Sequence, residues 1–189
     1  MQVEVVCLQE TIKQSFKPRE LSNLVRGEDM DWRWIAPRGR SGGLLLGVNK
    51  DSLEVLYYKE GSYFQRFSLK SIDSGFKWDI LNVYGPVQLE LKTDFLKELM
   101  EEILFQQNSI IVGGDFNLVR DMAEKSNGVI NRNLVHIFNQ FVNDTSLREL
   151  HRHGGSYTWT NKQENPIMAV LDRIFVSAHL DSQFPLATV

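Results

Sequence analysis

Apolar residues recur with a period of two along much of the chain, as expected of strands with one buried face. A buried strand opens close to the N-terminus, over 3–8. Further strand-like runs occupy 32–36, 43–48, 53–58, 63–69, 76–84, 109–112, 156–160 and 169–176. Turn signals such as Lys59-Glu60-Gly61 and Asp73-Ser74-Gly75 separate several of them. In two places the period lengthens to about 3.6. Between 91 and 105, Phe95, Leu96, Leu99, Met100, Ile103 and Leu104 share one helical face, opposed by Asp, Lys and Glu. Between 132 and 144, Leu134, Ile137, Phe138, Phe141 and Val142 do the same. A shorter helix follows Pro18, whose fixed φ suits a first turn. Many consecutive strands with helices inserted between some of them predict an α+β fold with a sheet-on-sheet core, rather than a regularly alternating βαβ fold.

Composition sets bounds on this picture. A chain of 189 residues fits one large domain, or one domain missing pieces. With 42% hydrophobic and 24% charged residues it has the mix of a soluble globular protein. No segment approaches the roughly 18–20 apolar residues of a membrane span. The opening Met1-Gln2-Val3-Glu4 has no basic, signal-like character. A single cysteine, Cys7, excludes an intrachain disulfide and a Cys-rich zinc site. It reads as a small buried apolar residue, with a reactive thiol as the alternative. These features predict an intracellular protein, nuclear or cytoplasmic. A net charge of −3 gives no support to binding through a global basic surface. Basic residues do gather at Lys13, Lys17, Arg19, Arg26, Arg33, Arg38 and Arg40, among Phe16, Trp32 and Trp34. That stretch is a solvated surface, or a phosphate-contacting edge if other features point to nucleic acid.

The sharpest candidate chemistry is Gly113-Gly114-Asp115-Phe116-Asn117, at the end of the β-branched strand Ile110-Ile111-Val112. Glycines at a strand end permit a tight turn and close approach of a ligand. Asp115 and Asn117, two apart in an extended backbone, share one side. A carboxylate to handle a proton or a metal, and an amide to bind developing negative charge, suit phosphate chemistry. The same residues also suit an Asx-turn with no catalytic role. Glu10 stands at the carboxyl end of the first strand, and one such carboxylate can anchor Mg²⁺, which keeps several waters. Tyr84 ends an apolar strand at a Gly-Pro turn, where its hydroxyl reaches for a phosphate or its ring covers the core. In Val170–Val176, alternation puts Asp172 and Ile174 on one face and Leu171, Arg173 and Phe175 on the other. An Asp172–Arg173 pair is therefore awkward, and a histidine oriented by Asp172 is the functional alternative. His151 and His153 flank a Gly-Gly turn and read as loop residues.

Six segments in order resemble the endonuclease/exonuclease/phosphatase superfamily, the fold of abasic-site nucleases and DNase I. They are Cys7-Leu8-Gln9-Glu10-Thr11, Gly42-Gly43-Leu44-Leu45-Leu46, Asn82-Val83-Tyr84-Gly85-Pro86, Gly113-Gly114-Asp115-Phe116-Asn117, Tyr157-Thr158-Trp159-Thr160 and Leu171-Asp172-Arg173-Ile174-Phe175-Val176-Ser177. The pattern is most similar to the endonuclease domain of plant LINE-type (non-LTR) retrotransposons. The resemblance implies two packed mixed β-sheets flanked by helices, a four-layer α/β/β/α arrangement with the site where strand ends meet. It implies an Mg²⁺-dependent endonuclease, with Mn²⁺ as substitute, acting on DNA, with RNA left open. Glu10 would bind the metal, Tyr84 would position the scissile phosphate, Asp115 would handle a proton and Asn117 would stabilise charged phosphate oxygens. Asp172 matches the acid that orients a catalytic histidine. Thr158 and Trp159 match a rim segment near nucleic acid.

The same resemblance implies a domain, 1–189, truncated at both ends. The family pattern begins with an Asn-bearing strand and ends with a Ser-Asp-His segment, and the first and last of its strands have no match here. Their absence would expose strand edges. Two alternatives therefore stand beside the endonuclease: a non-catalytic remnant with weak or no nucleic-acid binding, and a phosphoinositide- or sphingolipid-directed member of the fold.

Overall fold

The computed structural model describes residues 3–37, 42–106, 108–184 and 187–188. Arg38 and Arg40 of the basic stretch lie outside the described residues, as do Met1, Gln2, Pro185, Leu186 and Val189. The strands β1 (Val5–Gln9), β2 (Met30–Ile35) and β3 (Leu44–Asn49) form an antiparallel sheet in the order β1-β3-β2. A six-stranded sheet is built from β4 (Leu53–Glu60), β5 (Phe64–Ser71), β6 (Lys77–Tyr84), β7 (Ser109–Asp115), β8 (Leu147–Glu149) and β11 (Asp172–Ser177). Its order is β4-β5-β6-β7-β11-β8, and within it β6 and β7 run parallel. The short strands β9 (Trp159–Thr160) and β10 (Met168–Ala169) form a separate pair. The helices are α1 (Pro18–Leu24), α2 (Lys92–Leu104), α3 (Arg132–Asp144) and α4 (Ala178–Gln183).

Strand alternation divides the apolar residues between two cores. Leu81 and Val83 of β6, and Ile110 and Val112 of β7, face α2 and α3. There they meet Phe95, Leu96, Leu99 and Ile103 from α2, and Phe138, Phe141 and Val142 from α3. Ile80 and Ile111 point the other way and face the three-stranded sheet, with Leu46, Val48, Phe67 and Leu69. On the outer face of that small sheet Trp32 lies over Gly47, where a Cβ would fall 2.3 Å from the indole. Phe16, just before α1, meets Trp34 edge-on.

The sheets are unequal in width, so part of the inner face of the wider one is open. A cleft of about 1260 Å³ runs along it, lined by Val5, Cys7, Phe76, Trp78, Ile111 and Val176 among others. β1 pairs with β3 on one side and has no strand on the other among the described residues. Burial pushes the Cys7 thiol up to about 12, which suppresses thiolate and favours the unreactive role.

The predicted strand over 169–176 is two strands in the structure. Met168–Ala169 pairs with β9, the chain turns at Val170 and Leu171, and Asp172–Ser177 joins the large sheet. Side-chain and loop acceptors hold the turn: Val170 N donates to Glu124 O, and Leu171 N donates to Thr158 Oγ1. The run over 156–160 shortens to Trp159–Thr160.

Phe138 is fully buried, with ring centroids 5.5 Å from Phe116 and 6.2 Å from Phe175. Phe138→Ala is expected to cost about 3–5 kcal/mol in urea unfolding. Phe105→Ala, at a residue 87% exposed, is expected to stay within about 0.5 kcal/mol.

Candidate active site

Three adjacent strands bring a phenol and two carboxylates to one level. The parallel pairing of β6 with β7 sets Tyr84 beside Asp115, and the antiparallel pairing of β7 with β11 sets Asp172 beside Asp115. Directly paired residues point to the same face. Counting by twos along each strand, back from Tyr84 and Asp115 and forward from Asp172, shows that this is the inner face, which carries Ile80, Ile111 and Ile174. β1 ends opposite, and the Tyr84 hydroxyl donates to Glu10 Oε1 at 2.6 Å. The loop after β1 stays tied to the start of β3, since Thr11 N donates to Gly43 O at 3.3 Å and Ile12 N to Gly42 O at 3.2 Å. Gly43 has φ +87°, and a Cβ there would lie 2.6 Å from Thr11 Oγ1, which explains that glycine.

Asp115 and Asn117 form the Asx-turn anticipated as the plain structural role, and the turn stands inside the cluster. Asn117 N donates to Asp115 Oδ1 at 2.8 Å. Asn117 Nδ2 donates to Gly85 O at 2.9 Å and approaches Asp115 Oδ2 at 3.3 Å. Asn117 adopts φ +50°, a left-handed conformation that Asn tolerates better than most residues. Burial pushes the Asp115 carboxyl up to about 6, with the charges of Asp172 and Glu10 adding to the rise. The Asn117 amide and the Lys92 ammonium oppose it. Burial, and then the bond to Glu10, hold the Tyr84 phenol above its usual range, so Tyr84 is a proton donor at neutral pH.

Asp172 is exposed at the mouth, and its main-chain N–H donates to Thr158 Oγ1 at 3.0 Å. Thr158 thus fixes the turn that delivers Asp172, while Trp159 beside it is 43% exposed. Arg173 lies on the opposite, helix-covered face, as alternation predicts, and bonds Glu149 at 2.5 Å and Glu124. A cavity of about 280 Å³ opens here, lined by Gln9, Gly113, Arg152, Thr158, Asp172 and Ile174 among others. His151 and His153 are exposed loop residues stacked edge-on with each other. In the basic stretch, Lys13 pairs with Glu20 and Arg33 with Asp31.

Two contributors were assigned no role from the sequence, although Asn82 stands in one of the matching segments. Asn82 bridges the sheets beneath the site: it accepts from Gln9 Nε2 and donates to Leu8 O at 3.3 Å and Leu45 O at 3.1 Å. It sits in an apolar strand, where a lone Asn draws no attention. Lys92 is buried at the start of α2 and donates to Pro86 O at 2.8 Å and Asn117 O at 2.6 Å. Its one warning sign is a cation in the first turn of a helix, against the helix dipole.

Among the described residues no three His, Cys, Asp or Glu side chains gather to cage a metal. Mg²⁺ needs one or two protein carboxylates and keeps most of its waters. Glu10 would supply one, and the charges of Glu10 and Asp172 bearing on Asp115 are a field that a cation would relieve. The residues fit a water-rich Mg²⁺ shell anchored on Glu10.

The raised Asp115 pKa gives a stability prediction for the metal-free protein. Folded Asp115 holds its proton to about pH 6, against an ordinary value of 3.8. The stabilisation from its protonated form is complete below the lower value and lost as pH rises through the upper one. Asp115→Asn removes that loss, so near neutral pH it is expected to be more stable than the parent by about 1–3 kcal/mol. Around pH 4 the advantage vanishes, and urea unfolding at the two pH values checks it.

The fold is shared with solved structures at low identity. The endonuclease domain of TRAS1, a telomere-specific non-LTR retrotransposon, superposes with a TM-score of 0.67 at 14% identity, over 94% of this chain and 75% of that one. The AP endonuclease LMAP from Leishmania major gives 0.70 at 15% identity, over 95% of this chain and 71% of that one. A mannosyl-6-phosphatase from Bacteroides thetaiotaomicron gives 0.61 at 14% identity, over 93% and 71%. No curated protein shows a significant match to the sequence. The family model described as "Endonuclease/Exonuclease/phosphatase family" matches residues 2–186. With nearly the whole sequence matched and the fold in agreement, the chain belongs to the endonuclease/exonuclease/phosphatase family.

Proposed function

We propose that this domain is an Mg²⁺-dependent phosphodiesterase that nicks DNA, an endonuclease of the retrotransposon type. The observation that carries this reading is the convergence of Tyr84, Asp115 and Asp172 at one level of the sheet, facing Glu10. Members of the family are hydrolases, nucleases and phosphatases among them. Similarity to the TRAS1 and LMAP endonucleases supports nucleic acid as the substrate class, and the exposed indole of Trp159 supplies a surface on which a base stacks.

Mg²⁺, held by Glu10 and water, would supply Lewis-acid polarisation of a phosphoryl oxygen. The protein side chains do the rest. Tyr84 stays protonated and can turn its hydroxyl from Glu10 to a non-bridging phosphate oxygen. Asp115, ionised above about pH 6, takes a proton from the attacking water. Asn117 presents an amide hydrogen only loosely engaged by Asp115 Oδ2, at 3.3 Å, to the charge that develops on phosphate. Protonation of the leaving oxygen would need a donor oriented by Asp172, which stands exposed at the mouth with its carboxylate unbonded among the described residues.

A non-catalytic domain is the second reading. It is favoured by Asp172, whose carboxylate accepts no hydrogen bond, from a histidine or any other donor, among the described residues. Supercoiled plasmid with Mg²⁺ or Mn²⁺ decides between them. The endonuclease nicks it, and Asp115→Ala lowers the rate by about a hundredfold or more. Glu10→Gln is expected to weaken Mn²⁺ binding in calorimetry. Absence of nicking, with identical Mn²⁺ isotherms for parent and Glu10→Gln, establishes the non-catalytic reading.

A further inference from the structure

We propose that Lys92 is a positioning residue of this site: it clamps the loop after β6 to the loop after β7 and so fixes Tyr84, Asp115 and Asn117 relative to one another. The inference rests on the site described above, and it concerns a side chain that touches neither substrate nor metal in the proposed reaction.

Lysine at this place needs an explanation. It is the first residue of α2, where the helix dipole disfavours a cation, and it is 4% exposed where lysines are ordinarily solvated. No carboxylate forms an ion pair with it among the described residues. Its ammonium is satisfied by main-chain oxygens, Pro86 O at 2.8 Å and Asn117 O at 2.6 Å. Those oxygens belong to the two segments that leave the sheet at Tyr84 and Asp115.

Topology accounts for the reach. β6, α2 and β7 form a parallel crossover, so α2 begins beside the carboxyl ends of both strands. Beyond those ends the ladder stops, and few links remain between the loops. Gly85 N donates to Asp115 O at 2.7 Å, and Asn117 Nδ2 donates to Gly85 O at 2.9 Å. Lys92 adds the outermost link and a charged one, and charge-assisted hydrogen bonds are the stronger kind. It also grips the carbonyl of Asn117, whose φ of +50° would otherwise be free to relax.

The ammonium acts on the site's electrostatics as well, being the cationic influence on Asp115 against the carboxylates of Glu10 and Asp172. Burial lowers Lys92 to about 8, so it keeps its proton at neutral pH.

The test compares the parent with Lys92→Met, which keeps the apolar stem, and Lys92→Arg, which keeps charge and donors. Backbone hydrogen exchange reads the clamp without requiring activity. In Lys92→Met, protection at the Gly85 and Asn117 amides is expected to fall about tenfold or more relative to Leu81 and Val112 in the strands that precede them. Lys92→Arg restores part of it. In plasmid nicking, Lys92→Met loses about ten- to a hundredfold in kcat with KM nearly unchanged, as expected when reacting groups are misplaced. Unchanged protection at Gly85 and Asn117, or an equal loss at all four amides, overturns the proposal. So does an unchanged kcat. If the parent does not nick, the endonuclease reading fails while exchange still decides the clamp.

Discussion

Because β6 and β7 run parallel with Tyr84 beside Asp115, their chains leave the sheet together, and the site depends on how closely those backbones can travel. They are in contact. A Cβ on Gly114, whose φ is +144°, would fall 2.0 Å from Val83 O, and one on Gly85 would fall 2.3 Å from Phe116 O. Between them Phe116 is fully buried against Phe95, Phe138 and Phe175. The positions of Asp115 and Asn117 are therefore fixed from both sides: by main-chain contact with β6 and by an aromatic anchor between them. A site set by backbone register and one buried ring has little freedom to drift, which is what orientation-dependent chemistry requires.

The fit between the two sheets is specified by polar groups as well as by apolar ones. Asn82 takes Gln9 of β1 and the carbonyls of Leu8 and Leu45, and comes within 3.5 Å of Gln65 Oε1. A slip of one residue would turn each of these side chains to the other face and leave buried polar atoms unpaired. The network thereby selects the one docking of β1 that brings Glu10 to Tyr84. On the far side of the large sheet Arg173 does similar work, tying β11 through Glu149 to β8 and through Glu124 to the loop before α3.

Much of this was legible in the sequence because periodicity and packing agreed. The helices predicted over 91–105 and 132–144 form at Lys92–Leu104 and Arg132–Asp144, and the long strands fall close to their predicted runs. The first strand starts at Val5, two residues late, although Asn49 N still donates to Glu4 O at 2.8 Å. β8, with three residues, is too short to show a period, and six-residue α4 presents one buried residue, Leu180. The break in 169–176 was invisible because its cause, the Thr158 hydroxyl, is remote in sequence. The positions of Tyr84, Asp115 and Asp172 at strand ends were legible from motifs. Lys92 and Asn82 were not, since their roles exist only as distances to groups elsewhere in the fold.

Electrostatics constrain what such a rim can hold. Glu10, Asp115 and Asp172 face one another in a chain of net charge −3; Lys92 is committed beneath them to carbonyl oxygens, and Arg152 lines the cavity beside Asp172. A polyanion approaching this rim meets repulsion, and Lys13 and Arg33 offer little relief because each already pairs with an acid. Counterion release, the usual source of affinity for nucleic acid, scales with the number of phosphates neutralised. Under the proposed function, attraction would come from uncharged contacts, from Arg152 and from a divalent ion between the carboxylates and the phosphate. Trp159, exposed beside the threonine that sets Asp172, is placed to supply the first of these. Under that proposal, binding that rests on stacking would lose less to added salt than binding through a basic groove, while its dependence on Mg²⁺ would be steeper, because the ion would both join the partners and quiet the acids around it.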